Sequence, residues 1–213
     1  MNELKKGGRV VRGGGVPTAH GQQIPLGGLC DVAAGPSGSL LESLHEDMDG
    51  VPVLSPPDLT DAHGVDTRHL RRVSRTKALK LGRFALREGD ILMVRQGTLG
   101  RLALIKYEQT GWFYGSSCLR VRPQPKLILS AYLVAYLSYP PVQRELLAKA
   151  LPGTVPSLNS AMLKEFPVMV PPLNRQHAVV EALTDLDARI RLQRQIADRL
   201  EALRPAIFGE LFQ

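Results

Sequence analysis

Cysteine is nearly absent from this 213-residue chain: Cys30 and Cys118 are the only two, 88 positions apart. They form no CxxC pair and no ligand cluster, so a structural zinc site is not expected, and both read as reduced, partly buried thiols. Aromatic residues are scarce at 5%. Their one cluster, Trp112-Phe113-Tyr114, reads as core or hairpin packing rather than a surface for stacking bases. No apolar run approaches the ~18 residues that cross a bilayer. The first fifteen residues are basic and glycine-rich without an apolar stretch, unlike a secretory signal. No membrane partner and a cytoplasmic setting are therefore expected.

Catalytic motifs are missing as well. The five histidines, His20, His45, His63, His69 and His177, make no HExxH pairing, and His63 and His69 read as surface residues rather than metal ligands. Ser55-Pro56-Pro57-Asp58 resembles the tetrapeptide with which amino-methyltransferases hold a flipped base, but Asp58 stands where an aromatic must stack. The acid–x–Lys triplet Glu3-Leu4-Lys5 precedes any Pro-Asp pair, so Mg²⁺-dependent nuclease chemistry has no ligand set. Gly35-Pro36-Ser37-Gly38-Ser39 has the wrong spacing for a serine nucleophile elbow, and no phosphate-binding Walker loop occurs. The expectation is a binding protein with no cofactor, no metal and no catalysis of its own.

What is present is a positive balance and a set of ordered elements. Net charge is +7 with a pI near 9.7, which suits a polyanionic partner without requiring one. Residues 1–22, with Lys5, Lys6, Arg9 and Arg12, read as a flexible basic tail. From Ile24 a short element leads into a strand ending near Ala33. Val51–Leu54 is a strand candidate. Residues 58–78 look polar and irregular, with Arg68, Arg71, Arg72, Arg75 and Lys77 close together and a helix starting near Lys77. Gly89-Asp90 is a turn before an apolar run, Ile91–Val94, and Leu102–Lys106 reads as a second strand. Leu119-Arg120-Val121-Arg122 alternates as a strand with one wet face would. Helices are expected over Leu127–Leu137 and Val142–Ala150, and a last strand over Phe166–Val170.

Beyond Pro171-Pro172, Val179, Leu183, Leu186, Ile190, Gln193, Ala197 and Leu200 recur at spacings of four and three. That is the seam of a coiled coil, with Gln193 able to fix register at some cost in stability. From Asn174 to Arg204 such a helix would be about 46 Å long, which outruns a domain of this size and calls for a partner helix. Asp185 with Arg189 and Asp187 with Arg191 are spaced as favourable i,i+4 pairs. Pro205 is expected to kink or end the helix.

The order of these pieces is informative. A turn and buried strand, Gly89–Val94, run into a loop with two glycines, Arg95-Gln96-Gly97-Thr98-Leu99-Gly100-Arg101. Then come Pro152–Asn159, Phe166–Leu173 and the long amphipathic helix. This order resembles one half of a type I restriction–modification specificity (S) subunit, a target-recognition domain with its spacer helix, over Ile24 to Phe212. The resemblance implies an α+β fold, with a twisted, curved β-sheet and packed helices followed by a coiled-coil-type helix. It implies a basic tail at 1–22, a DNA-binding recognition domain at 23–172 and a spacer or dimerisation helix at 173–213. It also implies double-stranded DNA as a partner, together with a methyltransferase (M) subunit, a restriction (R) subunit further out, and a second half-subunit or second copy on the helix.

Residue chemistry suggests where DNA would be met. Arginine reads guanine, Asn and Gln read adenine, and Ser or Thr suit either. On composition alone the 95–101 loop is equally a hairpin turn whose glycines only bend the chain; the resemblance favours DNA contact by Arg95, Gln96, Thr98 and Arg101. Ser157 and Asn159 are candidates beside them, with Ser160 the expected cap of the helix that follows. Arg68, Arg71, Arg72, Arg75 and Lys77 would meet phosphate or form a solvated charge run. The helix pairs through Val179, Leu183, Leu186, Ile190, Gln193 and Leu200. Two departures from the family pattern stand out. Arg175 precedes Gln176 where the spacer helix usually carries an acid before the Gln, and only one recognition domain and one spacer are present, which fits a dimer of halves, pairing with another half, or a remnant. The rival reading is a protein-interaction module with a degenerate recognition fold and no specific DNA binding. An unrecognised enzyme is a more distant third.

Overall fold

Ile91–Val94, four consecutive apolar residues, is buried on both sides, and the fold is organised around it. In the computed structural model, which describes residues 21–36, 49–151 and 156–211, this strand lies inside a four-stranded sheet. The elements in chain order are β1 (Gln22–Pro25), α1 (Leu26–Leu29), β2 (Cys30–Ala34), β3 (Val51–Leu54), β4 (Arg71–Val73), α2 (Arg75–Ala78), β5 (Ile91–Val94), β6 (Leu102–Leu104), β7 (Phe113–Tyr114), β8 (Cys118–Pro123), α3 (Ser130–Ser138), α4 (Pro140–Ala148), α5 (Ser160–Glu165), β9 (Pro167–Val170) and α6 (Leu173–Leu211). The fold is mixed α+β with twisted sheets and a long C-terminal helix.

The central sheet runs β2-β8-β5-β6, all neighbours antiparallel. Side chains on a strand alternate between faces, and here each face meets its own core. Ile91, Met93, Leu119 and Val121 pack with Leu26, Leu133, Leu137, Leu163 and Phe166. Leu92, Val94 and Cys118 pack with Leu54, Phe84, Phe113 and Tyr114. Two smaller sheets flank this one: β1 pairs antiparallel with β9, and β3 lies between β4 (antiparallel) and β7 (parallel). Fully burying each large aliphatic side chain contributes about 1.5–3 kcal/mol, so the two-sided strand β5 anchors both cores at once.

The second core overturns the expected wet face of β8. Arg120 and Arg122 fall on the same side as Cys118, under that core. Arg120 is 5% exposed, pairs with Asp31 and donates to the Arg83 carbonyl. Arg122 forms a two-pronged pair with Asp90, at 2.7 Å on each oxygen, and reaches the Ala85 carbonyl. Two basic residues that look solvated by period are internal struts. The cysteines are free and buried, and burial pushes both thiols up to about 12, so neither is a thiolate at neutral pH.

Other expectations shift at the edges. The folded body already includes Gln22 and Gln23, paired with Val170 and Met169. The segment 58–78 is more ordered than its polarity suggests: it holds β4, and α2 starts at Arg75, capped by the Ser74 hydroxyl on the Lys77 N–H. The second hairpin strand is bounded at Leu104, whose N–H donates to the His63 carbonyl, although the Ile105 N–H still reaches across to the Asp90 carbonyl. The first of the two predicted helices begins at Ser130 rather than Leu127, and the second begins at Pro140, with proline at a position whose N–H needs no partner. The basic tail up to residue 20, Lys5, Lys6, Arg9 and Arg12 included, lies outside the described residues, as do residues 37–39 of the Gly35–Ser39 loop and residues 152–155, Thr154 and Val155 among them.

Helix α6 leaves the domain through one well-made joint. Gln176 is fully buried. Its amide donates to the Leu127 and Pro171 carbonyls, and its Oε1 accepts from the Leu129 N–H. Val180 packs against the first core, and from Glu181 to Pro205 every residue is exposed. The helix is not ended at Pro205 but continues to Leu211. A proline removes one i→i−4 bond, and the helix runs on through this position without it. The i,i+4 pairs Asp185–Arg189 and Asp187–Arg191 are not formed within ion-pair distance; solvated pairs of this kind contribute little. Gln176→Ala would strand one buried N–H and two carbonyls, so it is expected to cost about 1–3 kcal/mol. Urea unfolding measures the loss, and faster hydrogen exchange at the Leu129 amide locates it at the joint.

Candidate nucleic-acid interface

Strands β5 and β6 pair with Ile91 opposite Leu104 and Met93 opposite Leu102, so residues 95–101 form the tip of a hairpin. The turn closes with Gly100 N–H donating to the Val94 carbonyl and Val94 N–H to the Arg101 carbonyl. Gly97 and Gly100 both take positive φ, 87° and 77°, conformations that side chains with a Cβ resist. Around Gly97 there is open space, whereas a Cβ on Gly100 would come within 3.2 Å of Leu147 on α4. Gln143 of α4 donates to the Gly100 carbonyl at 3.2 Å. The loop is thus braced against a helix and keeps its tip free: Gln96, Gly97 and Thr98 are exposed.

The second predicted segment lies beside the first. Arg95 Nε donates to the Leu158 carbonyl at 3.1 Å, the Leu158 N–H donates to the Arg95 carbonyl at 3.0 Å, and Gln96 bridges to Ser157. Leu158 is fully buried and serves as the anchor, leaving Ser157 half-buried at the edge. Asn159, not Ser160, caps α5: its Oδ1 accepts from the Met162 N–H at 2.8 Å. Both residues are good caps, and the chain's extended backbone at Asn159 selects it. That oxygen is committed to the cap.

The basic residues differ in how they are held and in how far they reach solvent. Arg95 is half-buried and tied to Leu158. Arg101 is half-buried; its two terminal nitrogens reach the Leu59 carbonyl at 3.3 Å and Asp61 at 3.1 Å. In the 68–77 cluster, Arg68 is held by Asp66, whose carboxyl this pairing lowers to about 2. Arg72 and Arg75 donate to the Gly50 and Asp49 carbonyls. Arg71, Arg75 and Lys77 are exposed. The bonds of Arg68, Arg72 and Arg75 run to these neighbours and not to the 95–101 loop. Trp112 is half-buried, and Phe113 and Tyr114 are core residues, with Tyr114 edge-on to Phe84 at 6.3 Å.

One part of the site escaped the residue pattern. The turn Thr60–Gly64 presses against the hairpin, leaving a cleft of about 370 Å³ between Asp61 and His63 on one side, Thr98 and Arg101 on another, and Ser138 and Gln143 at the α3–α4 corner. His63 takes φ 58°, rare for a residue with a Cβ. The Thr60 N–H to Gly64 carbonyl bond, the His63 N–H to Thr60 carbonyl bond and the Gly64 N–H to Thr60 Oγ1 bond hold it there. His63 Nδ1 and Ser138 Oγ are buried without a hydrogen-bond partner in this structure. Sequence spacing carries no sign of this neighbour: Asp61 and Arg101 are forty positions apart.

Comparison with known proteins supplies the context. The family described as the type I restriction modification DNA specificity domain matches residues 22–202. The chain belongs to this family. The specificity subunit of the type I restriction enzyme EcoBI from Escherichia coli is 27% identical over 169 residues, 78% of this chain and 35% of that protein. The specificity subunit of the type I restriction enzyme HindI from Haemophilus influenzae is 24% identical over 132 residues, 60% of this chain and 28% of that protein. Among solved structures, one from a type I R-M system, determined for its complex assembly and conformational transition, superposes with a TM-score of 0.66 at 20% identity, covering 95% of this chain and 48% of that one. The HsdS subunit from Thermoanaerobacter tengcongensis gives 0.61 at 19% identity, covering 87% and 42%. The chain therefore spans about a third of the length of the specificity subunits it matches in sequence, and a little under half of those it matches in structure. The resemblance seen in the order of motifs and the α+β fold both stand.

Proposed function

We propose that this specificity-family chain is the DNA sequence-recognition element of a type I-like restriction–modification system. It reads one half of a split target, docks a methyltransferase subunit and does no chemistry itself. In this reading residues 23–172 are the recognition domain, 173–213 the spacer helix that sets half-site separation and pairs with a second half, and the restriction subunit joins through the methyltransferase in the cytoplasm. The observation that carries the reading is the union of the 95–101 hairpin tip with Ser157-Leu158-Asn159 through Arg95. Two segments with base-reading chemistry, separated by more than fifty residues, form one surface whose backbone is held from behind.

The division of labour follows from general nucleic-acid physics. Side chains at the exposed tip, Gln96 and Thr98, discriminate bases; Ser157 stands at their edge. Arg71, Arg72, Arg75 and Lys77 fix position on phosphate, a contact that carries no sequence information. The test uses the chain together with its methyltransferase subunit and maps the methylated sequence. Gln96→Ala is expected to relax one base position, a loss of about 1–3 kcal/mol of discrimination, and Arg95→Ala should do so as well by freeing Leu158. Arg72→Ala is expected to weaken binding to all sequences alike and flatten the salt dependence. The chain alone is expected neither to cut nor to methylate DNA. An unchanged methylated sequence and affinity in both Gln96→Ala and Arg95→Ala would show the hairpin to be structural. A complex that selects no sequence at all would favour the protein-interaction module.

A further inference from the structure

We propose that Asp61 reads a cytosine in the target, and that Arg101 is the residue that positions it; this rests on the DNA-recognition reading above. The carboxylate of Asp61 is 90% exposed, whereas the Arg101 side chain is 31% exposed. Arg101 spends one terminal nitrogen on the Leu59 carbonyl, just upstream of Asp61, and the other on Asp61 Oδ1. It therefore grips both the backbone and the side chain of the turn that presents the acid. The turn itself is fixed by its internal hydrogen bonds and by the Leu104 N–H on the His63 carbonyl. Asp61 shares its cleft with Thr98 at the hairpin tip, which sets it beside the readers already named.

A carboxylate at a DNA-facing surface is repelled by the phosphates; the Arg101 pair offsets that charge and engages only one of the two oxygens. An ionised carboxylate only accepts hydrogen bonds. In the major groove, cytosine offers the N4 amino group, while adenine offers its N6 amino group next to the N7 acceptor, which opposes a second acceptor. Cytosine is thus the base that suits Asp61. The 95–101 loop and Ser157 supply guanidinium, amide and hydroxyl groups but no acceptor-only side chain, and Asp61 adds the missing type. One carboxylate oxygen is held by Arg101, which leaves the other for the base.

The test selects binding sites from a random-sequence duplex library with the complex of this chain and its methyltransferase subunit. The wild-type complex is expected to fix a cytosine at one position. Asp61→Ala should relax that position by roughly tenfold, the scale of a single base contact, while raising overall affinity through loss of a repelled charge. Asp61→Asn, which adds a donor suited to adenine, should move the preference at the same position towards adenine. Arg101→Ala should relax this same position, and the double variant should lose no more than either single one, the non-additivity expected of residues acting as a unit. If both Asp61 variants keep the wild-type preference and only bind more tightly, Asp61 merely tempers charge and the proposal fails. If the wild-type complex selects no sequence, the recognition reading fails first and takes this proposal with it.

Discussion

Asp90→Ala is expected to remove about 3–5 kcal/mol of stability, the scale for leaving a buried charge without its partner. Asp90 is 1% exposed. Its two oxygens accept from Arg122 Nε and Nη2, both at 2.7 Å, and Oδ2 also accepts from the Arg87 N–H at 2.8 Å. Alanine would leave the Arg122 guanidinium and that N–H facing a void. Domains of this size are stable by only about 5–15 kcal/mol, so the variant should populate unfolded chain under conditions where the wild type does not. Asp90→Asn retains an acceptor for Arg87 and should lose less. Trp112, the one tryptophan, is half-buried beside β7 and reports unfolding in urea. A midpoint shift equivalent to under about 1 kcal/mol in the alanine variant would mean that water replaces the carboxylate.

The functional consequence lies in where the pair sits. Asp90 is the residue immediately before β5, and its carbonyl accepts the Ile105 N–H at the far end of β6. The pair therefore ties the base of the β5–β6 hairpin to β8. A loosened base should reach the tip through the two strands, so Asp90→Asn, folded but weakened, is the variant in which to look for relaxed sequence selection without any change at the tip itself.

How much of this was legible in the residues differs by element. The hairpin could be seen because Ile91–Val94 is apolar without a break and is bounded by turn residues on both sides. The wrong assignment came on β8, where alternation between apolar and basic residues looks the same whether the second face meets water or acids. Asp31 and Asp90, which settle it, are 89 and 32 positions away from their arginines, and pattern within a window cannot reach them. The cap of α5 was ambiguous for a local reason: Asn159 and Ser160 are adjacent and chemically alike, and only the backbone turn chooses. At the proposed interface, side-chain chemistry singles out the hairpin tip as a candidate, but the bonds that divide Arg101 from Gln96 and that bring Asp61 alongside are tertiary. The family's Gln is retained at Gln176 with a structural task in the joint, while the unusual Arg175 is exposed there.

Leu186→Lys is expected to abolish pairing of the long helix and to melt much of it. Val179, Leu183, Leu186, Ile190 and Leu200 are between 39% and 60% exposed, and Leu192, Ile196 and Leu203 beside them are 41–57% exposed. An isolated helix gains little from propensity, and a stretch as long as 181–205 holds in water mainly by burying its stripe. On the proposal that a second spacer helix covers this seam, the central leucine contributes burial on both chains, and a lysine there sets an ammonium group in the apolar seam. The loss should therefore be of the whole assembly rather than of a fraction of its affinity. Sedimentation of the wild-type chain should show a concentration-dependent dimer, with helical circular dichroism falling on dilution; the variant should sediment as a monomer with reduced helicity at every concentration. The recognition domain ought to remain folded, because Gln176 and Val180 hold the helix to it upstream of the substitution. Gln193→Leu is the complementary test: a polar residue at the seam restricts register at the expense of stability, so the leucine variant should associate more tightly and less uniformly. A wild-type chain that stays monomeric at high concentration, with helicity equal to that of the Leu186→Lys variant, would count against pairing of two copies through this seam.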